Sequence, residues 1–231
     1  MTHAVDFGSR RIEFRLEYSD RRSLGITVTP EMAVLVKAPA GTPIQVVREK
    51  VYKRAPWIIR QQSFFLSFQP RTTERKYVSG ETHLYLGRQY RLQVHIGKEE
   101  TVKLKGGFIQ VTASSGKRTP EVMQRWYKEQ AKAKFHAIAS PLIQRFKSYH
   151  VEPSSIVLRE MSTRWGSCTP KGKIILNPEL IKAPKACIEY VIIHELCHLV
   201  HHDHTQKFLD LQTREMKDWE KWKMKLERLM A

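Results

Sequence analysis

An α+β architecture follows from a change of hydrophobic period partway along the chain: a β-rich N-terminal half of antiparallel hairpins gives way to a helix-rich region with a short sheet. Up to about residue 116, apolar and polar residues alternate with the period of two of a half-buried strand, and glycine and proline punctuate the runs. From Thr119 onward the apolar spacing lengthens to the three or four of a helix. The expected lobes are therefore residues 8–116, β-rich, and 117–231, helix-rich.

The alternation is clearest between Arg11 and Lys37. Ile12, Phe14 and Leu16, then Ile26 and Val28, then Val34 and Val36 make three short strands, divided by Ser19-Asp20 and Thr29-Pro30. After the punctuation of Pro39 to Thr42, Pro43 suits the first turn of a helix that runs to about Leu66. The polar stretch Gln69 to Lys76 reads as a loop. Strand patterns resume at His83–Leu86, Tyr90–Val94, Thr101–Leu104 and Phe108–Thr112, separated by Gly87, Gly97 and Gly106-Gly107, and they predict a meander of antiparallel hairpins.

Thr119-Pro120-Glu121 marks a helix start, with a capping threonine, proline in the first turn and an acid near the positive end of the dipole. Val122, Trp126, Ala133, Phe135, Ile138, Leu142 and Phe146 carry this helix to about Tyr149. Strand-like segments at Ser155–Glu160 and Lys173–Leu176 follow. Pro184 opens another helix, and a last long helix is expected from about Thr205 to Met230. No internal repeat shows in the residues.

At 231 residues with 41% hydrophobic content, the chain can bury a substantial core. No apolar run approaches the length of a membrane span. The opening residues lack the basic start and apolar stretch of a secretory signal, and three cysteines give no disulfide framework, so a reducing cytoplasm is the expected compartment. Lys and Arg number 40 against 23 Asp and Glu, an excess of +17 that favours polyanionic partners such as nucleotides or nucleic acid. The charges are spread along the chain, and a well-solvated basic surface explains them equally.

The chemistry concentrates in Ile188-Glu-Tyr-Val-Ile-Ile-His194-Glu195-Leu-Cys-His198-Leu-Val. Histidines four apart on a helix sit one turn along it and about 40° apart around it, so both imidazoles can reach one ion. Glu195 flanks that ion without joining the pair of ligands, the position of a base for a metal-activated water. Apolar residues surround most of this helix, so it is expected to be buried, where three titratable side chains would be costly without a purpose. Zinc in a catalytic site takes three protein ligands and keeps a position for water. His204 follows His198 by enough chain to leave the helix and turn back; Glu215 is the competing third ligand. His201 and His202 are expected to face solvent or to support the ligands. Cys168, Cys187 and Cys197 have no partner at zinc-finger spacing and read as structural.

These residues resemble the YgjP-like metallopeptidases, relatives of the SprT and WLM metalloproteases. The matching segments are Arg164-Trp-Gly-Ser-Cys168, Ile175-Leu-Asn177, Tyr190 to Leu199, His204 with Phe208, Gly80-Glu81 and Tyr85-Leu-Gly-Arg88. The resemblance spans about residues 24–230. It implies a minimal zincin core, Zn²⁺ as the cofactor, and His204 as the third ligand after His194 and His198. Thr205 stands where a serine is expected, and His201 replaces the glycine that a metzincin would carry.

Arg164 and Trp165 are the candidate substrate-binding residues: Trp165 offers a flat surface, and a strand beside the active helix can pair with an extended peptide. Trp165 and Cys168 as core residues around a bulge at Gly166 would look the same in the sequence. Arg164, Tyr190 and His201 are candidates for oxyanion stabilisation. The leading expectation is hydrolysis of a peptide or protein. The alternatives are a metal-dependent nucleoside triphosphate pyrophosphohydrolase, for which no glycine-rich phosphate loop is visible, and a nucleic-acid-associated protease or binding module.

Overall fold

The computed structural model describes residues 2–8, 10–29, 32–66, 75–161 and 164–230. It divides into two compact units, Met1–Thr73 and Glu74–Met230.

The first unit holds strands β1 (Thr2–Phe7), β2 (Arg10–Ser19), β3 (Gly25–Val28) and β4 (Val34–Pro39), then helix α1 (Ile44–Leu66). The order is β1-β2-β4-β3, with both outer pairs antiparallel and the central β2–β4 pair parallel. Alternate residues Ile12, Phe14, Leu16, Val34 and Val36 are buried against Val47, Val51, Ala55 and Ile58, which recur along one side of α1 at helical spacing.

The second unit repeats the pattern. Strands β5 (Thr82–Tyr85), β6 (Arg88–Ile96), β7 (Thr101–Lys105) and β8 (Phe108–Ala113) precede the long helix α2 (Thr119–Phe146). Their order is β5-β6-β8-β7, again with a parallel pair, β6–β8, at the centre. The strands come where the alternation places them, but neither sheet is a meander. Each outer pair is antiparallel, and the link between pairs lays the second pair's last strand beside the first pair's last strand. Hydrophobic period alone fixes which face is buried, not which neighbour a strand takes. Strand β1 falls before the run of alternation used to place strands in the sequence.

The division falls at 73/74 rather than at 116/117 because sheet β5–β8 buries its inner face under α2. Leu92, Ile109 and Val111 share a core with Val122, Met123 and Trp126. The shift near residue 117 marks a change of secondary structure within one core.

Beyond α2 the chain forms β9 (Ser155–Leu158), β10 (Gly166–Cys168) and β11 (Lys173–Leu176), then α3 (Lys185–Val200), α4 (Gln206–Glu215) and α5 (Trp219–Met230). In the small sheet β11 is central, parallel to β9 and antiparallel to β10, which forms one edge. Helix α3 is buried on most sides, as its apolar circumference predicts. The expected single C-terminal helix is broken at Met216–Asp218. The Asp218 carboxylate accepts from Trp222 Nε1 at 2.7 Å and its carbonyl accepts from Lys221 N, so Asp218 starts a new helix.

Hairpin β5–β6 also positions α3. Leu86 (φ 49°) and Gly87 (φ 76°) form a two-residue turn with both residues left-handed. Their amides donate to the carbonyls of Ile181 and Lys182 at 2.8 and 3.0 Å, just before α3 begins. A side chain on Gly87 would lie 2.6 Å from Pro184, so this docking requires glycine twice over, for its φ and for the space.

Candidate metal centre

Helix α3 presents His194 and His198 one turn apart, and the loop after it returns His204 to face them. One ring nitrogen from each of His194, His198 and His204 lies within 4.8 Å of the others. His204 Nε2 is 3.1 Å from His194 Nε2. The remaining nitrogens are held from behind. His194 Nδ1 donates to Gln212 Oε1 at 2.8 Å, and His198 Nδ1 donates to the carbonyl of His202 at 3.0 Å. An amide oxygen and a backbone carbonyl only accept, so both histidines carry their proton on Nδ1 and turn an Nε2 lone pair toward the shared centre. Phe208, fully buried, packs against all three rings at centroid distances of 4.7–5.1 Å.

Burial favours the neutral form of His194 and His198. The pKa of His194 is pushed down to about 4, chiefly by desolvation, and that of His198 is lowered by the same cause and by His204. Three imidazoles converging without a carboxylate suit a borderline-soft divalent ion such as zinc.

Glu215 stands apart from this cluster. Tyr149 donates to its carboxylate at 2.6 Å, and Arg145 forms an ion pair with it. His201 caps α3 through its backbone, and His202, one of the residues lining the cavity, supports His198 with its carbonyl. Gln212 was missed by sequence reasoning. Its signal is a polar residue on the buried face of α4, in register with Phe208 and Leu211.

Glu195 is buried beside the triad. Desolvation raises its pKa to about 7, opposed by the charge of Arg164 and by the backbone N–H of Cys168. Strand β10 covers it. The bonds Asn177 N to Trp165 O and Thr169 N to Lys173 O, both 2.9 Å, set the register so that Ser167 bonds to β11, while Gly166 and Cys168 turn their backbone away from it. The pairing runs through Gly166 without a bulge. Glycine is needed there because a Cβ would sit 2.5 Å from Glu195 Oε1 and 2.8 Å from its Cγ. Asn177, itself buried, anchors the approach to this strand. Its Nδ2 donates to the carbonyls of Met161 and Arg164, and its Oδ1 accepts from Glu179 N.

Arg164, Cys168, the three histidines and Glu195 line one cavity of about 630 Å³. Trp165 lies on the other side of Glu195, where with Tyr190 and Val191 it walls a smaller pocket of about 160 Å³. Tyr190 stacks on Trp219 at 6.3 Å and its ring lies 6.0 Å from His194. Cys168 borders the open cavity, whereas Cys187 and Cys197 are buried.

Within this fold, a histidine triad able to hold a metal ion lies beside a buried carboxylate at an open cavity. The sequence pattern of the YgjP-like metallopeptidase domain matches residues 22–229, and the chain belongs to that family. Among solved structures, the crystal structure of the metallopeptidase zymogen of Pyrococcus abyssi abylysin is similar at 22% identity, covering 40% of this chain and 91% of that one with a TM-score of 0.34. No curated protein matches at a significant level. Among the described residues, no helix is long and apolar enough to cross a membrane.

Proposed function

We propose that the chain is a zinc-dependent peptidase in which His194, His198 and His204 hold the metal and Glu195 is the general base. The observation that carries this reading is the convergence of three imidazoles beside a buried carboxylate at an open cavity. Zinc held there would act as a Lewis acid and lower the pKa of water toward about 7. Glu195, whose own pKa is pushed up to about 7, is matched to take a proton from the attacking water and to return it to the leaving amine.

The substrate chain would lie along the outer edge of β10. The Cys168 N–H is already given to Glu195, which leaves the backbone of Gly166 facing outward to align an extended peptide. Arg164 would bind the developing oxyanion or an acidic substrate group. The pocket walled by Trp165 and Tyr190 would take a small apolar side chain. Three unpaired cysteines fit a reducing cytoplasm, which we take as the compartment.

The test is zinc-loaded protein against a random peptide library and, separately, against nucleoside triphosphates with phosphate release monitored. Peptide cleavage that is lost in Glu195→Gln supports the reading. Glu195-dependent release from a nucleotide with no peptide cleaved replaces it with a phosphohydrolase.

A further inference from the structure

We propose that the groove between α1 and the free edge of β3 is a docking site for an extended, acidic peptide segment, which joins the first sheet as a fifth strand. The site lies wholly within the first unit and stands whether or not the triad holds zinc.

The groove encloses about 540 Å³ and is lined by Ser23, Leu24 and Ile26 on the strand side and by Lys50, Arg54 and Trp57 on the helix side. Its two walls supply the two elements of strand addition: backbone groups to pair with a peptide, and side chains to select it. Strand β3 is the edge of its sheet, following β1, β2 and β4. The bond from Thr29 N to Ala33 O, 2.8 Å, sets the antiparallel register with β4, so Thr27 and Gly25 exchange bonds with Leu35 and Lys37. Ile26 and Leu24, one residue out of phase, direct their N–H and C=O groups to the open side. Among the described residues, nothing pairs with them. Ile26 within β3 and Leu24 just before it are the two residues of this wall that line the groove with hydrophobic side chains. An unpaired edge of this kind is a template for another strand.

The opposite wall sets the chemistry of the occupant. Lys50, Arg54 and Trp57 recur at four and three residues, so they share one side of α1. Lys50 and Arg54 form no ion pair among the described residues, although Lys53 on the same helix pairs with Glu49. A peptide strand places alternate side chains on one face, so acidic side chains at every second position would reach Lys50 and Arg54 in turn. A nucleic acid would use the cations but has no backbone to match the spaced amides and carbonyls of Leu24 and Ile26.

The probe is a fluorescein-labelled synthetic peptide alternating valine and glutamate, added to the full chain carrying Glu195→Gln so that the probe is not consumed. Saturable binding is expected, weakened about tenfold by Lys50→Glu combined with Arg54→Glu, which are both exposed and outside the core. A peptide with lysine in place of glutamate should fail to bind. Amide exchange read by NMR should slow at Leu24 and Ile26 on peptide addition and stay unchanged at Thr27. This alternation separates strand pairing from general attraction to a basic protein. The proposal is overturned if the double substitution leaves affinity intact, if the lysine peptide binds equally, or if protection appears away from β3. Oligothymidylate binding that exceeds the peptide's and is lost in the same double substitution would also overturn it, in favour of nucleic acid.

Discussion

Replacing Gly166 with alanine tests how the cavity is built, because the added atom is small and its collision is defined. The new Cβ would lie 2.5, 2.8 and 2.9 Å from Oε1, Cγ and Cδ of Glu195. Carbon contacts are comfortable at about 3.5–4.0 Å, so the carboxylate and β10 must part by about 1 Å. Neither yields freely: Glu195 is buried on α3, and β10 is bonded to β11 at Ser167 and at both flanking pairs. Overpacking of this kind costs about 1–3 kcal/mol, or roughly 2–10 °C in Tm for a unit of this size. Displacing a general base by about 1 Å costs about a hundredfold in rate. Gly166→Ala should therefore keep its metal, since no ligand moves, while kcat/KM for a cleaved peptide falls about a hundredfold and Tm drops by several degrees. Metal analysis, steady-state kinetics and a thermal melt on one preparation read all three. Unchanged kcat/KM at unchanged Tm would refute the close approach of strand and carboxylate.

Glu195→Gln should retain zinc and lose hydrolysis by about 10²–10⁴-fold, measured by metal content and peptide turnover. In metal-stripped protein the same substitution should change the pH dependence of stability. The folded Glu195 holds its proton up to about pH 7 whereas the unfolded residue releases it near its ordinary value. Its contribution is therefore present at low pH and lost as pH rises to about 7, and denaturant melts of wild type against variant should diverge over that interval. His204→Ala should weaken zinc binding sharply while His201→Ala leaves it near wild type, read by competition with a chelator. Gln212→Leu, which removes the acceptor behind His194 Nδ1 with little change in bulk, should lower zinc affinity about 10–100-fold. Wild-type affinity there would sink the tautomer argument.

The parts of this protein written in local spacing were legible from the sequence. Histidines at 194 and 198 with an acid between them, the apolar circumference of α3, and the period of two in β2, β3, β4 and β8 all follow from rules that act over a few residues. What depends on partners distant in the chain was not. Gln212 reaches His194 from another helix, and Asn177 ties down the carbonyls of Met161 and Arg164; neither contact leaves a periodic trace beyond one polar residue on a buried face. A bulge at Gly166 stayed open as a reading of the sequence because the residue's collision partner is a glutamate on a separate helix. The parallel centres of the two larger sheets were hidden because alternation is the same for either direction of pairing.

The converging nitrogens all come from one short stretch of chain, His194 to His204, whereas the wall that confines Glu195 comes from Gly166 to Cys168 and is tethered through Asn177. Closing so short a loop costs little entropy, so the histidine-bearing stretch can organise before the wall arrives. If the proposed zinc site forms in this way, zinc occupancy would be a poor certificate of a finished enzyme. A truncation or a destabilised variant would then carry a full complement of metal and still lack the strand that confines the carboxylate, and metal content and turnover would report on two separately assembled halves of the proposed centre.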